Sequence, residues 1–286
     1  MRIRVPPGVL ERDVATVEQE VDDRRLMAFA AGVRDTSAAL FDVDRPGGIV
    51  AHPVFAAALE WPLVRDGAPG LEFCDGGAEQ GLHVGHEITV HRPIRGGDVL
   101  RTTSRLLAVG ARSVGAYALC EFSTATLDGE PVLDTRQGIL YLGATLQGLD
   151  GAGAPRAPAP PETALRDADE VRIELADAVR YGECSGIINP VHTDARLARE
   201  GGLDSPIYQG SAMLAHCVSA AVRSGLRGDP SRVRRIACRF TGAVPMPCTV
   251  TVGLGAVGGT LRFGARTGEG APVLADGVLE VSGPIG

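Results

Sequence analysis

The run Tyr181-Gly182-Glu183-Cys184-Ser185-Gly186-Ile187-Ile188-Asn189-Pro190-Val191-His192-Thr193-Asp194, followed by Tyr208-Gln209-Gly210, frames the reading of the whole chain. It sets one histidine just after an Asn-Pro turn and shortly before a glycine that opens an apolar, helix-like run. Pro190 fixes its own φ and pushes Asn189 toward extended geometry, so the turn aims His192 reproducibly. A histidine beside a helix N-terminus pairs a proton-transfer group with backbone N–H donors. Spacing alone fits a histidine that caps a buried turn equally well.

Downstream, residues 209–223 predict a helix, because Met213, Leu214, Cys217, Val218 and Val222 keep the 3.6-residue period. Residues 232–240, 248–254, 261–267 and 273–281 predict strands, with glycine turns between them. Upstream, residues 171–175 predict a short strand. Residues 144–165 are dense in Pro and Gly, which supply neither ladder donors nor helix, so they predict a linker. The first half has a related order. Residues 1–22 are mixed, acidic and unassigned, residues 23–33 suit a short helix, and residues 52–65 suit a helix that Pro62 kinks or ends. Strands follow at 82–90, 99–108, 114–126 and 132–142, with hairpin turns at 110–113 and Asp128-Gly129. The expected organisation is a first unit at 1–143, a linker at 144–165 and a second unit at 166–286.

The chain of 286 residues is long enough for one large core or two ordinary ones. A formal charge of −7 at pH 7 argues against a nucleic-acid binder, whose affinity rests on clustered cations. There is no lysine, which excludes Schiff-base and pyridoxal chemistry and the lysine-dependent phosphate loop. The six cysteines form no C-x-x-C pair, so neither a zinc knuckle nor a disulfide framework is expected and a reducing cytoplasm is the natural setting. Only Cys184, inside the run, invites more than a packing role. No stretch is apolar for the ~18 residues of a membrane span, and the N-terminus lacks a signal-peptide core.

The pattern Ser185-Gly186-x-x-Asn189-Pro190-Val191-His192-x-Asp194, then Pro206-Ile207-x-x-Gly210, resembles the signature of the MaoC-like (R)-specific enoyl-thioester hydratase/dehydratase family. The resemblance implies an α+β fold, the double hot-dog, in which each of two fused units wraps a curved antiparallel sheet around a central helix. It implies that the first unit shapes the acyl pocket and the second carries the chemistry, with no cofactor. The family motif has an aspartate where this chain has Ile187, and usually a histidine where this chain has Gln209. It further implies an acyl-CoA or carrier-protein thioester as partner, and by analogy a homodimer.

Candidate catalytic residues are His192, a neutral-pH proton shuttle, and Gly210, whose N–H at the head of a helix could polarise a thioester carbonyl. Ile187, Asn189, Ser185, Tyr208, Gln209 and Arg235 are candidate substrate contacts. Asn189 serves to orient the turn, and Ser185 and Tyr208 serve as hydrogen-bond donors. Arg232, Arg234, Arg235 and Arg239 form a strip for coenzyme A phosphates or an acidic carrier, though an ordinary charged sheet face explains them equally well. Of the nearby carboxylates, Glu183 suits a solvated surface and Asp194 a helix cap. Strand alternation puts His83 and His91 on one face and His86 on the other, so surface or ladder positions are expected and no metal site. The leading expectation is a hydratase/dehydratase-type lyase. The alternatives are an isomerase or cyclase of an unsaturated chain, favoured by the hydrocarbon at Ile187, and a non-catalytic acyl-thioester-binding subunit.

Overall fold

The computed structural model describes residues 1–10, 12–148 and 163–286. In the first unit β1 (Arg2–Arg4) and β2 (Asp13–Glu20) precede helices α1 (Asp23–Gly32) and α2 (Ala56–Val64). Next come β3 (Glu72–Phe73), β4 (Leu82–Val90) and the meander β5 (Val99–Arg112), β6 (Gly115–Thr126), β7 (Pro131–Leu142), closed by β8 (Thr145–Gln147). The second unit runs β9 (Arg166–Ile173), α3 (Leu175–Ser185), α4 (Ala195–Glu200) and α5 (Gly210–Leu226). Its remaining strands are β10 (Val233–Phe240), β11 (Cys248–Val257), β12 (Thr260–Thr267) and β13 (Pro272–Val281).

The long strands alternate, as a sheet with one covered face requires. In β5, Leu100, Thr102, Ser104 and Leu106 are buried while Arg101 and Arg105 point outward to Glu18 and Asp13. Among the described residues the sheet order is β2-β5-β6-β7-β4-β10-β13-β12-β11-β9, so the two units share one ten-stranded antiparallel sheet. The junction is β4 against β10, with Thr89 opposite Arg235 and Gly85 opposite Arg239. This is a double hot-dog, and the sheet pairing that joins its halves lies within one chain.

Helix α5 is the core of the second unit. From Ser211 to Val222 every residue is buried, which suits a helix that a curved sheet wraps on several sides. In the first unit α2 takes the comparable place behind a short 3₁₀ turn, Pro53–Phe55, with Ala56 to Glu60 buried. Pro62 falls inside α2, which continues to Val64 before it ends.

Several elements depart from the sequence expectation. Residues 1–22 contain β1 and β2, and β2 forms the outer edge of the large sheet. Helix α3 was not anticipated, although Glu174 and Asp177 form a reciprocal capping box at its start. The β5–β6 hairpin turns after Arg112, because β5 runs further than expected. Thr145–Gln147, expected in the linker, pair in parallel with β1. Residues 149–162 of the expected linker lie outside the described residues.

Helices α1 and α3 pack across the two units, and Gly32 permits their close approach. A Cβ at residue 32 would stand 2.9 Å from Cys184 Cβ and 3.6 Å from Tyr181 Cα. Cys184, singled out above, is therefore a packing residue. Gly32→Val is expected to push the helices apart and to lose about 1–3 kcal/mol, the usual range for overpacking. Denaturant titration should show it as a lowered midpoint, and an unchanged midpoint would contradict the packing assignment.

Candidate active site

Between the units lies a cavity of about 520 Å³. The second unit contributes the motif turn, the head of α5 and Phe240; the first contributes α2, β4 and β7. Most of the first unit's share is apolar and includes Ala57, Trp61, Val64 and Ile139.

The motif turn is built by its own residues. Ser185 ends α3: its Oγ donates to the Tyr181 carbonyl at 2.6 Å and accepts the Ile187 N–H at 3.1 Å. Gly186 follows at φ 75°, a left-handed cap for which glycine is the low-cost residue. Asn189 Oδ1 accepts the Val191 N–H at 3.3 Å and so heads the single 3₁₀ turn Pro190–His192. Asp194 then caps α4 by accepting from Arg196 N and Leu197 N, and Glu183 is exposed.

His192 lines the cavity, and its Nδ1 lies 2.8 Å from the Ile207 carbonyl oxygen. A carbonyl can only accept, so Nδ1 carries the proton and Nε2 keeps its lone pair. Burial pushes the His192 pKa below the ordinary histidine value, and the Ile207 carbonyl offsets part of that. At neutral pH the ring is therefore an uncharged base.

The same segment leads into α5. Gln209 is the N-cap residue, no side chain caps the helix, and the first intrahelical bond runs from Met213 N to Gln209 O. The N–H groups of the first turn are thus free of intrahelical acceptors, at the positive end of the helix dipole. Gly210 and Ser211 line the cavity. A Cβ at residue 210 would come within 3.3 Å of the Phe240 ring, so Gly210 also permits close packing of helix on sheet.

Of the other candidates, Ile187 and Asn189 line the cavity, and Ile187 is buried. Three expectations need correction. Ser185 is not a pocket donor, because both functions of its hydroxyl are taken by backbone. Tyr208 lines the cavity, but its hydroxyl lies 3.1 Å from His216 Nε2 within the core. Arg235 is away from the cavity, and its guanidinium bridges Glu87 at 2.7 Å and Glu280 at 2.8 Å across the sheet junction. The rest of the arginine strip is also engaged, Arg239 with Asp276 and Arg232 and Arg234 with backbone carbonyls. Gln209 uses its Nε2 on the Ala178 carbonyl at 2.9 Å, and its Oε1 is buried without a hydrogen-bond partner.

Strand alternation also failed for the first unit's histidines. The pairing of β4 with β7 shifts register between His83 and Gly85, and the bulge brings the His83 and His86 rings to 5.0 Å centroid separation. The signal was present as a glycine inside a strand pattern. His83 lines the cavity and packs on Phe240 at 4.7 Å. Behind it Glu60, almost wholly buried, accepts from Thr135 Oγ1 at 2.5 Å and from Gln137 Nε2. His86 Nε2 stands 3.4 Å from Glu60 Oε2 without hydrogen-bond geometry. His91, by contrast, is exposed beside Asp134. Among the described residues no cluster of His, Cys, Asp or Glu has the geometry to hold a metal ion.

Known proteins resemble the chain in both halves. Residues 156–275 match the MaoC like domain, and residues 11–135 match the FAS1-like dehydratase domain region. A probable enoyl-CoA hydratase 2 from Dictyostelium discoideum is 25% identical over 237 residues, which cover 79% of this chain and 77% of that protein. The structure of a MaoC-like dehydratase from Phytophthora capsici superposes with a TM-score of 0.80 at 21% identity, covering 96% of this chain and 97% of that one. A Mycobacterium tuberculosis protein described as a double hot-dog superposes with a TM-score of 0.62 at 14% identity, covering 94% and 95% of the two chains. By fold the protein is a double hot-dog, and within it the second unit is similar to the MaoC like domain while the first is similar to a FAS1-like dehydratase region. Among the described residues no helix is long and apolar enough to cross a membrane.

The buried histidines predict a pH dependence of stability. His52, whose Nε2 lies 3.1 Å from Ser219 Oγ, is pushed down to about 4 by burial, and His216 to about 3. His83 and His192 are shifted in the same direction. Each group binds a proton more readily unfolded than folded, so its neutral burial stabilises the fold above about pH 6.5. That stability is lost as the pH falls from there toward the folded values. Thermal unfolding should give a Tm that declines from pH 7 to pH 5, and a Tm that holds or rises over that range would contradict it.

Proposed function

We propose that the cavity binds an acyl thioester, of coenzyme A or of a carrier protein, and that the protein is a hydratase/dehydratase-type lyase. The observation that carries this reading is the pairing, at one cavity, of a neutral imidazole whose Nε2 has no hydrogen-bond partner among the described residues and a helix start whose N–H groups lack acceptors among them. The thioester oxygen would lie at the head of α5, and the acyl chain along the apolar wall that α2 and β7 supply.

In the hydration direction water attacks the β-carbon of a 2-enoyl thioester. The new C–O bond forms as the C=C π pair moves to the α-carbon and the thioester oxygen. The Gly210 N–H stabilises that developing charge. His192 Nε2 takes the proton from water and returns it to the α-carbon, which closes the cycle with no net change in the enzyme. Dehydration is the reverse. Ile187 stands where the related motif has an aspartate, so His192 performs both transfers. Loss of one of two acid/base groups lowers a rate by roughly 10²–10⁴-fold, so a modest turnover is expected.

His192→Gln should lower kcat/KM for hydration of crotonyl-CoA by about 10²–10⁴-fold. In the wild type, kcat/KM should fall on the acid side with an apparent pKa below 6.5, since the base form is active and burial depresses its pKa. A His192→Gln variant with wild-type turnover would overturn the proposed role.

Ile187 also supports a second reading, isomerisation or cyclisation of an unsaturated chain in a dry pocket. Ile187→Asp separates the two. A gain in hydration would mean that the wild type has moved away from water chemistry, whereas a loss would mean that hydration already depends on the hydrocarbon wall.

A further inference from the structure

We propose that Ser211 is a second donor to the thioester oxygen, its hydroxyl acting beside the Gly210 N–H at the head of α5. The inference rests on the acyl-thioester reading of the cavity and assigns a residue to it.

Ser211 follows Gly210 in the first turn of α5, is buried, and lines the cavity. Cα–Cβ bonds tilt toward a helix's N-terminus, so its hydroxyl stands at the same end as the unpaired N–H groups. Tyr181, on α3, donates its phenolic O–H to Ser211 Oγ at 3.0 Å. Tyr181 is fully buried, and burial pushes its pKa upward, so it keeps its proton at neutral pH. A hydroxyl has one proton to donate besides its lone pairs. With Tyr181 occupying a lone pair, the Ser211 proton is left for another acceptor, and among the described residues no hydrogen bond uses it.

A donor that is itself a hydrogen-bond acceptor is polarised by the bond it receives, and more strongly in a low-dielectric site. The Tyr181–Ser211 pair therefore leaves a strengthened O–H on a cavity-lining residue at the helix head, available to the enolate oxygen. Ser211 gives up no proton in the reaction. The electron pair displaced by water collects on the thioester oxygen, the hydrogen bond shortens there, and the transferred proton passes by way of His192. Tyr181 touches no substrate and is a positioning residue.

A purely structural Tyr181–Ser211 bond would also join α3 to α5, and the test separates the two roles. Ser211→Ala, Tyr181→Phe and the double variant are compared for crotonyl-CoA hydration. In parallel, the infrared carbonyl stretch is recorded for bound butyryl-CoA, ¹³C-labelled at the thioester carbon. Ser211→Ala is expected to lower kcat by about 10²-fold with little change in KM, as for loss of one oxyanion donor. Tyr181→Phe should cost several-fold, and the double variant should be no better than Ser211→Ala. The wild-type carbonyl stretch should move to lower frequency on binding, and Ser211→Ala should reverse part of that shift.

Recovery of activity in the double variant, which has no orphaned Tyr181 hydroxyl, would overturn the inference in favour of a structural stitch. So would a carbonyl shift that Ser211→Ala leaves unchanged. A wild type that turns over no enoyl thioester but shows a Ser211-dependent carbonyl shift would overturn the hydratase reading and support this contact.

Discussion

The hydrogen bond from His192 Nδ1 to the Ile207 carbonyl is the constraint on which the candidate site depends. It ties the motif turn to the strand-like segment that feeds α5, so one bond fixes the tautomer of the imidazole and its place relative to the helix head. Three residues after Ile207 the chain enters the helix at Gly210, and Gly210 and Ser211 line the same cavity. A base and a set of dipoles are thereby held by backbone geometry, which needs no reorganisation when charge develops. Burial also disfavours the charged imidazole and so keeps the ring neutral.

The fold supplies the other wall. Pairing of β4 with β10 merges two sheets into one, and the ion pairs of Arg235 with Glu87 and Glu280 lie over that seam. The units then face each other across a cavity that neither could enclose alone. The division of labour is uneven. The second unit brings His192, Gly210 and Ser211, while the first brings a mostly apolar surface interrupted by Arg65, Glu79, Gln80, His83 and Gln137. Behind His83 and Gln137, Glu60, Thr135 and His86 form a buried polar group. Buried polar groups with incomplete hydrogen bonding are costly. Among the described residues three imidazole nitrogens and the Gln209 oxygen are in that state, all on residues at or next to the cavity.

Much of this was legible in the residues. The four meander strands of each half, the helix after Gly210, the turn set by Asn189 and Pro190, and the cap at Asp194 follow from local chemistry that depends little on distant contacts. Other features were hidden for physical reasons. A helix at Leu175–Ser185 escaped because its C-terminus runs into a motif that reads as one continuous turn, although its capping box was in plain view. The meeting of His83 with His86 required a register shift at Gly85, and simple alternation cannot produce it. Glu60 was invisible because a glutamate on a helix is ordinarily solvated, and only the tertiary fold turns it inward. Arg235 misled for the converse reason: a row of arginines on one strand suggests anion binding until cross-strand carboxylates claim it. Ser211 is a small residue in an apolar helix, and its significance depends on Tyr181 arriving from another helix.

Nitrogen-15 NMR of the His192 ring tests the central claim most directly, because it reads the tautomer and the access of the free nitrogen together. At pH 7 the account predicts a neutral ring with the proton on Nδ1 and a lone pair on Nε2, and a perturbed Nε2 signal when an unreactive acyl thioester is added. A ring that is protonated at that pH, that carries its proton on Nε2, or that does not respond to the thioester would contradict it.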